Sequence, residues 1–378
     1  MIFNALVCIL VGTQMCVRGF QSVRIQKSCV VRSLGRLSPL TMAAPSACSV
    51  SALHAVATPT VQKTSAAESK DLKGALKVGV GFALWYILNV GYNITNKKAL
   101  NISPSLAWTV ALVQFFIGWF YVVPMWLLRL RKTPELTKDE VTTLLPMAFL
   151  HTLTHIGGVV SCGAGAVSFS HIIKASEPAF SAAISAVFLK SYIPLPVYLT
   201  LLPVMGGVAL ASFGELSFSW KALSFALMSS LSSASRGILG KKNMVSSIGK
   251  NMDPKNLYAV MTILATIILL PAAMAIEGKV IVPTVKAIFE AGQGMEWIKQ
   301  TVLSAIFYYL YNEVAFLCLD AVDPVTHALG NTIKRVVVIV ASVVAFGTVM
   351  TRQGIAGSIV ALSGVLMYSL AKHKFVAK

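Results

Sequence analysis

The chain has 378 residues, of which 56% are hydrophobic and only 12% charged, with a mean hydropathy of +0.74. A soluble domain carries about twice that share of charge, so the composition excludes an ordinary soluble fold and points to a polytopic membrane protein. The net charge of +18, from 32 basic and 14 acidic residues, does not make it a nucleic-acid binder. Its basic residues are scattered between apolar segments and along the N-terminal region, the pattern of membrane topology, targeting and an anionic substrate.

Residues 1–67 contain no Asp or Glu but carry Arg18, Arg24, Lys27, Arg32, Arg36 and Lys63 among Ser, Ala and Val. That is transit-peptide composition. The apolar run Ile2–Val17 resembles a signal-peptide h-region, without a basic n-region or a clean A-x-A site. The Gly19-Phe20 junction resembles the aromatic that opens a transit peptide behind a signal peptide. Residues 1–72 are therefore expected to form a disordered targeting leader, signal plus plastid transit peptide, of the bipartite kind used by complex plastids. A single mitochondrial or plastid presequence is the alternative. Four of the six cysteines (Cys8, Cys16, Cys29 and Cys48) fall in this leader, and Cys162 and Cys318 fall in apolar segments, with no CxxC or zinc spacing.

From Lys73 onward, apolar runs of about 20 residues, the length that crosses a bilayer, occur ten times: 74–96, 104–130, 140–162, 164–189, 194–213, 218–240, 254–276, 295–320, 323–349 and 353–372. Pro104, Pro194, Pro254 and Pro324 mark starts or bends. With ten spans, Lys73 and Lys77, the Arg129–Lys138 cluster, Lys190, the Lys241–Lys255 cluster and the C-terminal lysines share one face, so both termini share a compartment. The opposite face has Lys97, Lys98, Arg352 and a mixed loop over 277–299.

Two strings recur at nearly the same offset. Ile173-Lys174 in span 4 matches Ile333-Lys334 in span 9, and GVALAS (Gly207–Ser212) in span 5 matches GVLMYS (Gly364–Ser369) in span 10. These matches suggest a five-plus-five duplication, 73–213 and 214–378. A repeat with an odd number of spans inserts upside down relative to its copy, and inverted repeats are typical of transporters that hold substrate near mid-membrane. The expected fold is an all-α membrane protein of ten transmembrane helices in two inverted five-helix repeats behind the leader.

Between Gly165 and Leu189 the only ionisable residues are His171, Lys174 and Glu177. Span 9 carries Lys334 and Arg335. Intramembrane cations face a cavity or a partner, and the acidic residues that could neutralise these are Glu177, Glu215 and Glu313. An i,i+3 pair of Lys174 with Glu177 would answer one cation. It leaves two more, which a phosphate ester would answer, because Lys offers a point charge and Arg a bidentate fork. Pro178 clashes with the carbonyl of Lys174, so the helix should bend there. His151, His155, His171, Arg236, Tyr308, Tyr309, Tyr311 and Asn312 add polarity at the same depth. Asn89, Asn93, Asn96 and Lys97 in span 1 suit helix–helix hydrogen bonds. The histidines lack an acidic cluster, and neither HExxH nor GxSxG occurs, so no cofactor, metal site or enzyme activity is expected.

Three strings together, WYILNVGYNITNKKAL, GAVSFSHIIKASEPAFS and YYLYNEVAFLCLDAVDPVTHALGNTIKRVVVIVASVVAFG, resemble one family, the plastidic phosphate translocators of the triose-phosphate/phosphate type in the drug/metabolite transporter superfamily. The resemblance spans nearly everything after residue 73. It implies ten helices in two inverted halves, in a plastid envelope membrane, exchanging inorganic phosphate for phosphorylated C3, C5 or C6 compounds, as a monomer or homodimer. Carried over by position, it implies Lys174, Lys334 and Arg335 on the phosphate, His155 and Tyr311 on the sugar, and Arg236 on an acid end. At Gly158, three residues after the pocket histidine, the triose-phosphate type would have a hydroxyl side chain. Glycine enlarges the pocket there and keeps hexose and pentose phosphates open beside C3 compounds. His155 in place of an amide argues against the phosphoenolpyruvate type. A nucleotide-sugar transporter on the same fold is the more distant alternative.

Overall fold

The computed structural model describes residues 65–216, 218–245, 248–322 and 324–376. Of the disordered leader expected over 1–72, residues 1–64 lie outside the described residues, and residues 65–72 are helical instead. Helix α1 (Ser65–Ile102) leads through a 3-10 turn at Pro104–Leu106 into α2 (Ala107–Leu127), followed by α3 (Lys138–Ala164). The fourth span is broken into α4 (Val167–Ile173), a 3-10 turn at Lys174–Ser176, and α5 (Glu177–Phe188). The fifth is α6 (Leu195–Leu199) and α7 (Leu201–Phe213). Five longer helices complete the chain: α8 (Trp220–Val245), α9 (Pro254–Glu290), α10 (Gly294–Ala321), α11 (Pro324–Phe346) and α12 (Arg352–Val376). Phe82–Lys378 form one compact unit, and the site described below lies wholly within it.

These segments correspond one to one with the ten apolar runs, and among the described residues the protein is all-α, with one isolated β-bridge between Glu135 and Lys250. Among the described residues, seven segments are long and apolar enough to cross a membrane by length and composition alone. The remaining three fall short for visible reasons. Asn and Lys side chains crowd the second half of α1, Ser residues crowd α8, and span 4 is cut in two.

Local chemistry fixes the helix ends. Thr137 and Glu140 form a reciprocal capping box at the start of α3, and Asp253 accepts from the Asn256 N–H ahead of Pro254 at α9. Lys97 reaches from α1 to donate to the Cys162 and Gly165 carbonyls, both at 2.9 Å, and so caps the end of α3. Helix α9 runs to Glu290, where a loop was expected over 277–299. Its extension delivers Glu277, which accepts from Trp108 N (2.9 Å), Thr109 N (2.7 Å) and Thr109 Oγ1 (2.8 Å). A buried carboxylate thus satisfies the free N–H groups that begin α2, and the surface-loop reading of Glu277 is corrected.

The connectors agree with the basic-residue count. The segment after α2 and the segment after α8, expected on one membrane face, pair through Glu135 and Lys250 backbone bonds of 3.1 and 3.0 Å. The Gly249 N–H donates to Glu140 at 2.8 Å. On the other face, Thr351 Oγ1 donates to the Gly214 carbonyl at 2.6 Å. Helices α7 and α12 run antiparallel in close contact. A Cβ on Gly207 would strike Ala361, one on Gly357 would strike Ala211, and one on Gly364 would meet Val204 N at 2.8 Å. Only small residues allow backbones so near.

Candidate functional site

Pro178 has no N–H to offer the Lys174 carbonyl, and the chain breaks where the sequence predicts a bend. The Glu177 N–H bonds Lys174 O in a tighter 3-10 turn, and Pro178 sits in the first turn of α5. The freed lone pair of Lys174 O accepts a second bond, from Arg335 Nη1 on α11. Arg335 also gives Nη2 to Glu177 Oε2 at 2.6 Å, and Ser233 Oγ on α8 donates to Glu177 Oε1 at 2.6 Å. Four pieces of chain therefore meet at the break: the turn, α5, α8 and α11.

This geometry settles where Glu177 goes. The i,i+3 pair with Lys174 does not form within ion-pair distance; Arg335 takes the carboxylate. Glu313, another candidate neutraliser, pairs instead with Arg131, a residue expected in a loop but only 8% exposed. Neither Lys174 nor Lys334 forms an ion pair with a carboxylate among the described residues. The Lys174 ammonium stands where a side chain at residue 158 would be: a Cβ on Gly158 would lie 2.7 Å from its Nζ. The Lys334 ammonium lies over the Trp85 ring, 4.7 Å from the centroid. Lys174, Lys334 and Arg335 are within electrostatic reach of one another, of Glu177 and of His171.

The other expected residues form a second group. His155 is buried between Phe115 (centroids 4.4 Å) and Tyr308 (4.1 Å), with Nε2 3.3 Å from the Ala111 carbonyl. Tyr311 packs against Tyr92 (5.3 Å) and Tyr308 (5.6 Å). Arg236 lies within electrostatic reach of Tyr308, Tyr311 and His151, and its buried Nε has no hydrogen-bond partner. Lys174 is within reach of His155, so His155 joins the cationic group to the aromatic one. Of the α1 asparagines, Asn93 and Asn96 bond across helices as expected, while Asn89 accepts from Asn93 within the same helix. Asn93 Oδ1 is 2.9 Å from His171 Nε2, and Asn96 Oδ1 accepts from Gln114 at 2.8 Å.

Sequence reasoning missed Ser233, one of many serines on α8, and Trp85. It had no pattern to find either, because both act across helices.

The arrangement has two cations without a carboxylate, one guanidinium fixed by Glu177, and an aromatic, hydrogen-bonding flank, all from broken or packed membrane helices. Such a set can hold an anion but offers no nucleophile–base pair. The sequence profile of the Triose-phosphate Transporter family matches residues 76–369. The chain belongs to the Triose-phosphate Transporter family. This family consists of transporters, so the chain is a transporter and not an enzyme.

Curated relatives of this Triose-phosphate Transporter family member include the glucose-6-phosphate/phosphate translocator 2, chloroplastic, of Arabidopsis thaliana, 38% identical over 300 residues, covering 79% of this chain and 76% of that protein. The xylulose 5-phosphate/phosphate translocator, chloroplastic, of the same plant is 39% identical over 310 residues, with 82% and 73% covered. The triose phosphate/phosphate translocator, chloroplastic, of Spinacia oleracea is 39% identical over 302 residues, with 79% and 73% covered.

Proposed function

We propose that the protein is an antiporter exchanging inorganic phosphate for a phosphorylated C3 compound, triose phosphate or 3-phosphoglycerate, across a plastid envelope membrane by alternating access. The observation that carries this reading is the pair of cations without carboxylates, Lys174 and Lys334, beside an Arg335 already tied to Glu177. Counting that neutral pair with the two lysines leaves a clamp of charge +2, suited to a phosphate dianion. In this reading Lys174, Lys334 and Arg335 bind the phosphate. His155 and Tyr311 bind the carbon chain, and Arg236 meets a carboxylate end.

Alternating access is supported by the paired contacts of α7 and α12. Gly207 meets Ala361 and Gly364 meets Val204, and shifting either pair by the 157-residue spacing of the two GV strings turns it into the other. That is the relation expected of inverted copies 73–213 and 214–378. Bringing two uncompensated lysines into a closed, low-dielectric site without a bound anion is costly. A bound phosphate dianion offsets that cost, so only loaded protein crosses readily. The chloroplastic relatives support a plastid address, and the acid-free stretch 1–67 supports import through a bipartite signal. A fluorescent fusion of residues 1–72 that stayed outside plastids would contradict that address.

Gly158 favours a second reading. The lysine ammonium fills the space above it, which leaves a compact sugar end suited to C3 compounds. A lysine drawn to a phosphate opens that space to a pentose or hexose phosphate. The relatives named for xylulose 5-phosphate and glucose 6-phosphate are as similar as the triose one. Exchange of internal phosphate in liposomes against triose phosphate, 3-phosphoglycerate, xylulose 5-phosphate, glucose 6-phosphate and a nucleotide sugar tests both. Preference for triose phosphate and 3-phosphoglycerate is expected. Exchange of the nucleotide sugar alone would overturn either reading.

A further inference from the structure

We propose that Trp85 is the positioning residue for Lys334: its indole face holds the ammonium at the clamp without cancelling its charge. The inference rests on the reading of Lys334 as a phosphate ligand and adds a residue that reading does not use.

Three observations converge on Trp85. Its ring lies beneath the Lys334 ammonium, 4.7 Å from centroid to Nζ, within the range of a cation–π contact. The same ring stacks on His327, with centroids 5.1 Å apart and an interplanar angle of 16°. His327 and Lys334 stand two turns apart on α11, about 10.5 Å along its axis, and the indole fills that interval. The third observation is how the ring is held. Gly330, between those two residues, has no Cβ, and one built there would strike the Phe82 ring of α1. Tyr86 donates to the Gly330 carbonyl at 2.8 Å. Phe82, Trp85 and Tyr86 form a mutually packed aromatic patch. Glycine on α11 therefore lets α1 approach until Trp85 slots between imidazole and ammonium, with Trp85 only 2% exposed.

The alternative way to hold a buried lysine is a carboxylate, which is how Glu177 holds Arg335. A carboxylate at residue 85 would neutralise Lys334 and leave Lys174 as the only uncompensated cation of the clamp. A π face directs the ammonium and leaves its full charge for an incoming anion, which supplies the N–H acceptors that a ring cannot. Trp85 Nε1 is buried without a hydrogen-bond partner, so the indole contributes its face and not its polar edge.

The test is phosphate exchange by the full-length protein in liposomes, reading half-saturation and maximal rate separately. Trp85→Leu should raise the phosphate half-saturation about thirtyfold, the size of a desolvated cation–π contact, with the maximal rate within about twofold. Trp85→Phe keeps a π face and should restore most of the affinity. Equal half-saturation in Trp85→Leu and the unaltered protein would overturn the proposal, as would equal loss in the Leu and Phe variants. Should Trp85→Leu fail to fold, site-specific mono-, di- and trifluorotryptophan at residue 85 replace it. These keep the shape and drain the ring face, so half-saturation should climb with each fluorine. A flat series contradicts the proposal. Lys334→Ala separates the two levels. If it exchanges at a near-normal rate, the phosphate-clamp reading itself fails; if it is inactive and the fluorine series is flat, only the role of Trp85 fails.

Discussion

Among the described residues, two arginine–glutamate pairs lie within the helix packing, Arg335–Glu177 and Arg131–Glu313, and they differ in how completely their hydrogen bonds are used. At Arg335–Glu177 the guanidinium also serves the Lys174 carbonyl, and the carboxylate also accepts from Ser233. At Arg131–Glu313 the remaining groups, Arg131 Nη1 and Glu313 Oε2, have no hydrogen-bond partner, and Arg131 otherwise faces the Tyr121 ring at 5.9 Å. A buried ion pair repays its desolvation only when its other lone pairs and protons are also satisfied. The first pair is thus a built part of the candidate site, held from four directions. The second joins the connector after α2 to α10 at an unmet hydrogen-bonding cost.

The largest contrast should come from deleting the arginine at the first pair and both charges at the second. Arg335→Ala should lower phosphate exchange by at least about a hundredfold, since charge-assisted contacts of ~1.5–3 kcal/mol each are lost. Replacing both charges of the second pair, Arg131→Met with Glu313→Leu, should leave thermal stability in detergent unchanged or raised, the usual outcome when such a pair is exchanged for apolar residues. A lowered melting temperature in the double variant would show that the pair is better satisfied than its geometry indicates. Next in size, Glu313→Ala alone should destabilise by about 3–5 kcal/mol, because it leaves Arg131 buried without a counter-charge. Melting curves of the purified protein check it.

Smaller effects sharpen the role of Glu177. Glu177→Gln keeps the shape and raises the clamp from +2 to +3. Phosphate half-saturation should fall roughly two- to tenfold, the span of one exchanged hydrogen bond, while turnover slows. A rise in half-saturation would mean that Glu177 acts by aiming Arg335 and not by setting the charge of the clamp. The smallest change is expected from Pro178→Ala. It returns an N–H to the Lys174 carbonyl in competition with Arg335, and should slow exchange by no more than about threefold, an energy of ~0.7 kcal/mol.

What could be read from the sequence was whatever depends on one helix at a time. The ten spans, the break at Pro178 and the misfit of Lys174, Lys334 and Arg335 in apolar runs all follow from local composition and from the geometry of proline. Partners across helices did not follow. Glu177 is three residues from Lys174 yet bonds Arg335 on α11 and Ser233 on α8, partners that sequence spacing does not reveal. Glu277 reads as a loop residue until the start of α2 is seen to need an acceptor. Gly158 signals room in the sequence, but only the packing shows the Lys174 ammonium standing in that room.

Counter-exchange tests the central claim most directly. Liposomes carrying the full-length protein are loaded with phosphate or left without it, and uptake of external labelled phosphate is followed. The two uncompensated lysines should hold empty protein back from closing, so uptake should be rapid with internal phosphate and near background without it. Equally rapid uptake into both kinds of vesicle would contradict the account.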